Sequence, residues 1–375
     1  MNFVFYIHSL VSDWNHGNAH FVRGVLSELV SRGHQVVALE PVDGWSRENL
    51  VRDQGEAAVS AFYRDFPDLL SVSYGPDFDH EAVLADADVV VVHEWTDPAL
   101  VARIGRARDE GGRFSLLFHD THHRAVSAET DIAGMELAHY DGVLAFGETL
   151  RERYLKAGWG RTVYTWHEAA DTRRFRPLMS MDRDGDLVWI GNWGDDERTA
   201  EIHAFLIEPV RRLGIRALVH GVRYPDAALT TLEGAGIRYG GWLPNAKVPE
   251  VFSRHVLTVH IPRRPYVESL PGIPTIRMFE ALACGIPLIS APWDDAEGLF
   301  RPGEDFLFAR DGEEMERLMR ELLADTDRSA HMAASGLATI EARHTCRHRV
   351  DELFAVLADC GTTHVKSLVA AKEAA

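Results

Sequence analysis

PGIPTIRMFEALACGIPLIS, residues 271–290 of a 375-residue chain, reads as a helix followed by a buried strand. Pro274 suits a first helical turn, where its fixed φ is already helical and its missing N–H would have been unpaired, and Gly285 suits the helix end. Ile276, Phe279, Leu282 and Ala283 recur at the spacing of one buried face, and Pro287–Ala291 continues as an apolar strand. Arg277 and Glu280, three apart, share another face. Read alone, they are an intrahelical ion pair worth about 0.2–0.5 kcal/mol. If the helix opens on an anion, its first free amides hold a diphosphate, Arg277 adds charge, and Glu280 accepts hydrogen bonds from ribose hydroxyls.

Working outward, short apolar runs alternate with helix-period segments, which is the pattern of βαβ units around a parallel sheet. Strands are expected at Phe3–His8, Val36–Glu40, Ser71–Tyr74, Asp88–His93, Phe114–His119, Val143–Gly147 and Thr162–Trp166. A second series is expected at Asp186–Gly191, Ala217–Gly221, Ile237–Gly240, Leu257–Ile261 and Pro287–Ala291. The fold class is therefore α/β, with two Rossmann-like, doubly wound parallel-sheet domains. Residues 1–172 form the first, 173–185 a polar linker and 186–345 the second, while 346–375 give a C-terminal helix and a frayed tail that can pack back on the first domain. Polar residues follow almost every strand, and two such rims facing each other would line an interdomain cleft.

Bulk properties narrow the function. The net charge of −18, with only four lysines, speaks against nucleic-acid and anionic-membrane surfaces, so a phosphate-bearing ligand has to be held by local chemistry. Three cysteines without paired spacing fit neither a disulfide framework nor a zinc module. With no apolar run approaching about 20 residues and no secretory signature at the start, the expectation is a cytoplasmic protein without an integral membrane segment.

Several segments resemble GT-B glycosyltransferases in the right order. FEALACGIPLIS (279–290) resembles their donor-binding helix and strand, GNAHFVRGVLSELVSRGHQVV (17–37) their first loop and helix, and SLLFHD (115–120) their acceptor-side strand. VLAFGETLRERYLKAG (143–158) with VYTWHEAADTRRFRP (163–177) resembles the closing strand pair and hinge, and YGGWLPNAKVPEVFSRHVLTVHIP (239–262) the base-binding region. The group-1 (family 4) members are similar, and the spore-maturation CgeB-like branch is the closer match. The resemblance implies hexosyl transfer from a nucleotide-sugar donor to an unidentified acceptor, retaining and without an obligatory metal or other cofactor. It implies a ribose-binding role for Glu280 and places Gly241, Trp242 and Leu243 near the base. Two departures stand out. The family-4 glutamate eight residues before Glu280 is Gly272 here, and the first C-terminal loop, IGNWGDDER (190–198), has Arg198 as its only basic residue. Arg198, Arg263, Arg264 and Arg277 are the candidates for the diphosphate charge, beside Asn192, Gly272, Ile273 and Thr275 along the donor path.

In the first half, HDTHH (119–123) admits three readings: His119 and Asp120 acting in catalysis, structural hydrogen bonding, or a metal site. Gly17 and Asn18, in LVSDWNHGNAH (10–20), can approach the donor, or simply form a turn. Trp14, Trp95, Trp193 and Trp242 each follow a strand and can pack on a sugar or base, or on the protein itself. The residues leave open a sugar-nucleotide epimerase, a non-catalytic nucleotide-sugar-binding protein and, more remotely, a metal-dependent hydrolase on HDTHH.

Overall fold

The structure, a computed structural model, describes residues 1–179, 182–194 and 196–373. It divides into two compact units, one made of Met1–Glu168 with the chain from Cys346 onward, the other of Ala169–Thr345. Most of the segment expected as a linker lies within the second unit; Ser180 and Met181 lie outside the described residues.

The first unit is built on β1 (Asn2–Tyr6), β2 (Gln35–Pro41), β3 (Leu70–Tyr74), β4 (Val89–His93), β5 (Ser115–Asp120), β6 (Gly142–Ala145) and β7 (Val163–Thr165). They pair in parallel in the order β3-β2-β1-β4-β5-β6-β7. β4 and β5 are buried along their whole length, as unbroken valine and leucine runs require when helices cover both sheet faces. The first crossover is helix α1 (Ala19–Ser31), which turns Phe21, Val22, Val25, Leu26 and Leu29 inward. The strand order reverses between β1 and β4. At such a point the loops leaving the two strands diverge and open a crevice at the carboxyl edge of the sheet.

The second unit repeats the plan with β8 (Leu187–Ile190), β9 (Ala217–His220), β10 (Ile237–Tyr239), β11 (Leu257–His260), β12 (Leu288–Ser290) and β13 (Leu307–Phe308), in the order β10-β9-β8-β11-β12-β13. Its reversal lies between β8 and β11. The two-residue β13 was not expected, because it is too short to carry a period. Helix α2 (Ile276–Ala283) feeds β12. It starts two residues after Pro274, which therefore stands outside the first turn; Thr275, still extended at φ −79° and ψ 158°, is the cap. The expected apolar stripe is buried, but so are Met278, Glu280 and Ala281, leaving Arg277 as the half-exposed position.

Two helices then return to the first unit, α3 (Cys346–Cys360) and α4 (Thr363–Glu373). The expectation of a frayed tail is corrected here. Val365 and Val369, one turn apart, are buried, and Thr362 anchors the turn before them through its N–H to Ser115 Oγ at 3.0 Å and its hydroxyl to the Arg113 carbonyl at 2.9 Å. No helix among the described residues is long and apolar enough to cross a membrane.

Candidate functional site

In the second unit the candidate donor residues gather where β8, β11 and α2 meet. Gly194, at φ +97°, leaves its Cα face open, and a Cβ there would lie 2.5 Å from Arg198 Cγ. The Arg198 side chain passes through that space and holds the carbonyls of Asn192 (Nη2, 2.7 Å) and Ile261 (Nη1, 3.0 Å), with its guanidinium 5.2 Å from the Trp189 ring centroid. These contacts tie the loops after β8 and β11 together. Asn192 braces a third loop by accepting the Val222 N–H on Oδ1 at 2.9 Å.

The four arginines are not equivalent. Arg263 pairs with Glu197, Arg264 with Glu201, and Arg277 with Glu280. Arg198 has no carboxylate partner among the described residues, and its enclosed Nε has no hydrogen bond. Burial, reinforced by the charges of Arg263 and Arg277, pushes its pKa down to about 9. A guanidinium held by carbonyl dipoles alone keeps its positive charge unneutralised by any carboxylate among the described residues. His260 lies next in sequence to the carbonyl that Arg198 holds. Its Nδ1 bonds Ser290 Oγ at 2.9 Å, and its Nε2 has no partner.

Glu280 is fully buried, with Asn245 Nδ2 donating to Oε1 at 2.7 Å and Arg277 Nη1 donating to Oε2. The bond to Asn245 fastens the loop carrying the half-buried Gly241, Trp242 and Leu243 to α2. Gly272 has φ +88°, and a Cβ on it would stand 3.1 Å from Glu297 Cγ. The loop after β12 straps this segment, with Gly272 N–H on the Asp294 carbonyl at 2.8 Å and Trp293 Nε1 on the Ile273 carbonyl at 3.0 Å. A side chain at position 272 would meet both an unfavourable backbone and an occupied space. Ile273 is buried, and Thr275 is half-buried at the helix cap.

The first unit carries a separate polar cluster at the carboxyl ends of β1, β4 and β5. The β4–β5 register sets His93 beside His119. Asn18, the cap of α1, directs Nδ2 at His93 Nε2 and at Thr121 Oγ1, both at 3.0 Å. Thr121 Oγ1 in turn lies 2.9 Å from His93 Nε2 and 3.4 Å from Glu94 Oε1. Glu94 Oε2 is 2.8 Å from His93 Nδ1 without forming a hydrogen bond. Burial pushes the Glu94 carboxyl up to about 8 and His93 down to about 3. Asp120 is pushed up to about 8 by burial and then by the Glu94 charge, although Tyr154 OH donates to it at 2.7 Å and the His122 N–H at 3.1 Å.

His119 stands beside His93 in a largely apolar setting. It is buried, packed edge-on against Trp166 (4.9 Å) and near Phe21 (6.0 Å), kept neutral by burial, and its Nε2 has no partner. Gly17 lies half-buried in the loop entering α1. Of the four tryptophans, Trp14 and Trp193 are buried, Trp242 is half-buried and Trp95 is 39% exposed. Among the described residues, no three His, Cys, Asp or Glu side chains come together as a metal site requires, HDTHH included. Glu94 was legible only as one polar residue after a strand. Its sequence signal is an acid one step beyond the unbroken run VVVVH.

Comparison with known proteins gives the fold its context. Residues 198–355 match the family model described as glycosyl transferase-like. No curated protein matches the chain in sequence. Sucrose-phosphate synthase from Thermosynechococcus elongatus is similar with a TM-score of 0.66 at 14% identity, over 96% of this chain and 98% of that one. HepE of Anabaena, solved with UDP and glucose, gives 0.65 at 14% identity over 96% and 99%. An alpha-glucosyltransferase solved with UDP and a 13-mer DNA gives 0.67 at 12% identity over 95% and 99%. A DNA complex on this fold means that the fold gives no support to the expectation of no nucleic-acid partner. The chain has the GT-B fold, with a glycosyl transferase-like sequence across residues 198–355.

Proposed function

We propose that the chain transfers a hexosyl group from a nucleoside diphosphate sugar, held by the second unit, to an acceptor hydroxyl. One observation carries the reading: Arg198, a guanidinium without a carboxylate, stands at the strand-order reversal of a GT-B sheet where the loops after β8 and β11 meet. The first amides of α2 add dipole to that positive charge, as a leaving diphosphate requires. Glu280 exchanges its Arg277 contact for ribose hydroxyls, which frees Arg277 for phosphate. Trp242 and Leu243, tied to α2 through Asn245, lie beside the base.

UDP is the first nucleotide to try, since the Anabaena HepE and alpha-glucosyltransferase neighbours were solved with it. A ligand that binds the folded state raises stability by RT ln(1 + [L]/Kd), so thermal shifts with UDP, GDP and their sugars identify the donor, and calorimetry measures its affinity. Arg198→Ala should weaken nucleotide binding tenfold or more, since a charge-assisted hydrogen bond is worth about 1.5–3 kcal/mol. Arg264→Ala, whose charge is already matched by Glu201, should change it little. No binding by any nucleotide, or equal affinity in Arg198→Ala, removes this reading. We further take the transfer to be retaining, metal-independent and cytoplasmic, the last in keeping with three unpaired cysteines. The anomeric configuration of the first product by NMR, activity after chelation, and cell fractionation test these three points.

A further inference from the structure

Position 272 has no side chain, and a carboxylate from elsewhere in the second unit occupies the space one would take. A Cβ on Gly272 would stand 3.1 Å from Glu297 Cγ and 3.4 Å from Glu297 Oε1. Glu297 is half-buried, so solvent and ligands reach it. The chain around it fixes its place. The Gly272 N–H on the Asp294 carbonyl and Trp293 Nε1 on the Ile273 carbonyl pin the loop after β12 to the segment leading into α2. That loop then turns over Asp295–Gly298, closed by the Gly298 N–H on the Asp295 carbonyl at 2.9 Å. The Asp295 side chain is committed to the same turn, with Oδ1 accepting the Leu299 N–H at 3.0 Å and Oδ2 the Phe300 N–H at 2.8 Å.

With a diphosphate on the first amides of α2, the sugar bonded to its β-phosphate lies beside the residues that lead into the helix, Gly272 to the Thr275 cap. Gly272 has no side chain to offer it, and Ile273 is buried with its carbonyl held by Trp293. The polar side chain standing against this stretch is that of Glu297. A carboxylate only accepts hydrogen bonds, and its two oxygens match a pair of neighbouring hydroxyls. Another carboxylate it repels. Burial raises the pKa of Asp295 and the Glu297 charge adds to the shift, so the turn already concentrates negative charge. Arg343, which donates to the Gly298 carbonyl at 3.3 Å and to that of Leu299, offsets part of it. A uronic acid would bring a further carboxylate to this turn, whereas a neutral sugar brings hydroxyls.

We propose that Glu297 holds hydroxyls of the transferred sugar, supplying from the loop after β12 the carboxylate that position 272 lacks, and that it selects neutral hexoses over uronic acids. This assignment rests on the donor site proposed above. Its rival is Glu268, the acid that most closely precedes Gly272 in sequence, which is exposed at the end of the short helix Arg264–Glu268.

Calorimetry of the full-length protein with UDP, UDP-glucose and UDP-glucuronate, and with GDP, GDP-mannose and GDP-mannuronate, separates the sugar from the nucleotide. The wild type should bind the neutral sugar nucleotide about tenfold more tightly than its uronate, because like charges are brought together in the second case. Glu297→Ala should weaken the neutral sugar nucleotide about tenfold, the loss of a hydrogen bond to a charged group, and leave UDP or GDP alone unchanged. Glu297→Gln, of nearly the same shape but uncharged, should bring the uronate within about threefold of the neutral sugar, and it keeps the test open if Glu297→Ala does not fold. Glu268→Gln should change none of these affinities. Equal binding of neutral and acidic sugar nucleotides by the wild type overturns the proposal and leaves the donor site standing. So does a loss in Glu297→Ala that is absent, or equal for UDP and UDP-glucose, and so does the appearance of these effects in Glu268→Gln instead. Failure of every nucleotide to bind removes the donor reading and this assignment with it.

Discussion

Glu94 and Asp120 are carboxyls in places where a charge is expensive, because burial withdraws the water that would solvate it. Both are pushed up to about 8, with Glu94 adding to the shift of Asp120. This has a signed consequence for stability. An unfolded glutamate ionises near pH 4.3, whereas the folded Glu94 holds its proton until about 8. Its contribution is therefore fully present below the unfolded value and is lost progressively as the pH rises through the folded one. Glu94→Gln cannot ionise and lacks that slope. Melting temperatures followed from about pH 5 to 8 should fall further for the wild type than for Glu94→Gln, with Asp120 retaining part of the slope in the variant. Parallel curves would show that the Glu94 carboxyl is not held neutral. His119 makes the opposite point: its neutrality follows from Phe21 and Trp166 packed around it, so a change there acts first on packing.

At the scale of elements, α2 shows what a sequence can and cannot disclose. The helix, the buried Ile276 and Phe279, and the Arg277–Glu280 contact three residues apart were all legible, because they follow from local spacing. The valine run of β4 was legible for the same reason. The Asn245–Glu280 bond was not, since it joins residues 35 apart, and neither was the isolation of Arg198. Arg263 and Arg264 look equally available in sequence until folding brings Glu197 and Glu201 to them. Helix α4 was missed because few of its residues face inward, and two buried valines make a weak period. Gly272 is the most informative departure, and its cause is the backbone. Gly272→Glu, which would restore the familiar signature, should cost about 1–3 kcal/mol for a non-glycine residue at positive φ, with more for the contact with Glu297. A lowered melting temperature without gain in nucleotide affinity is the expected result. A stable variant binding more tightly would show that the strap formed by the loop after β12 moves aside.

At the scale of the whole molecule, the chain leaves the first unit after Glu168 and re-enters it at Cys346. The second unit is therefore one continuous stretch, while the first is assembled from two ends of the chain. The returning helices are structural members of that first unit. Trp166 Nε1 donates to the Arg349 carbonyl at 2.8 Å, Arg32 pairs with Asp351 at 2.6 Å, and Phe354 packs edge-on against Phe3 at 6.2 Å. Burying Val365 and Val369 adds about 1.5–3 kcal/mol each as an upper bound. A polypeptide of residues 169–345 should therefore fold by itself, with exchange-protected amides in β8 and β11, and, on the proposed function, keep the nucleotide affinity measured for the intact chain. Residues 1–168 alone should not, because their sheet would expose the surface that α3 and α4 cover. Ending the full chain at Gly361 is the graded form of this experiment. Hydrogen exchange should then quicken in β1, β4 and β5, whose edge Thr362 and α4 secure at Ser115, and remain unchanged in β8 and β11. Equal loss of protection in both sheets would mean that the two units unfold as one cooperative body, and the role of either unit would then have to be measured in the intact protein.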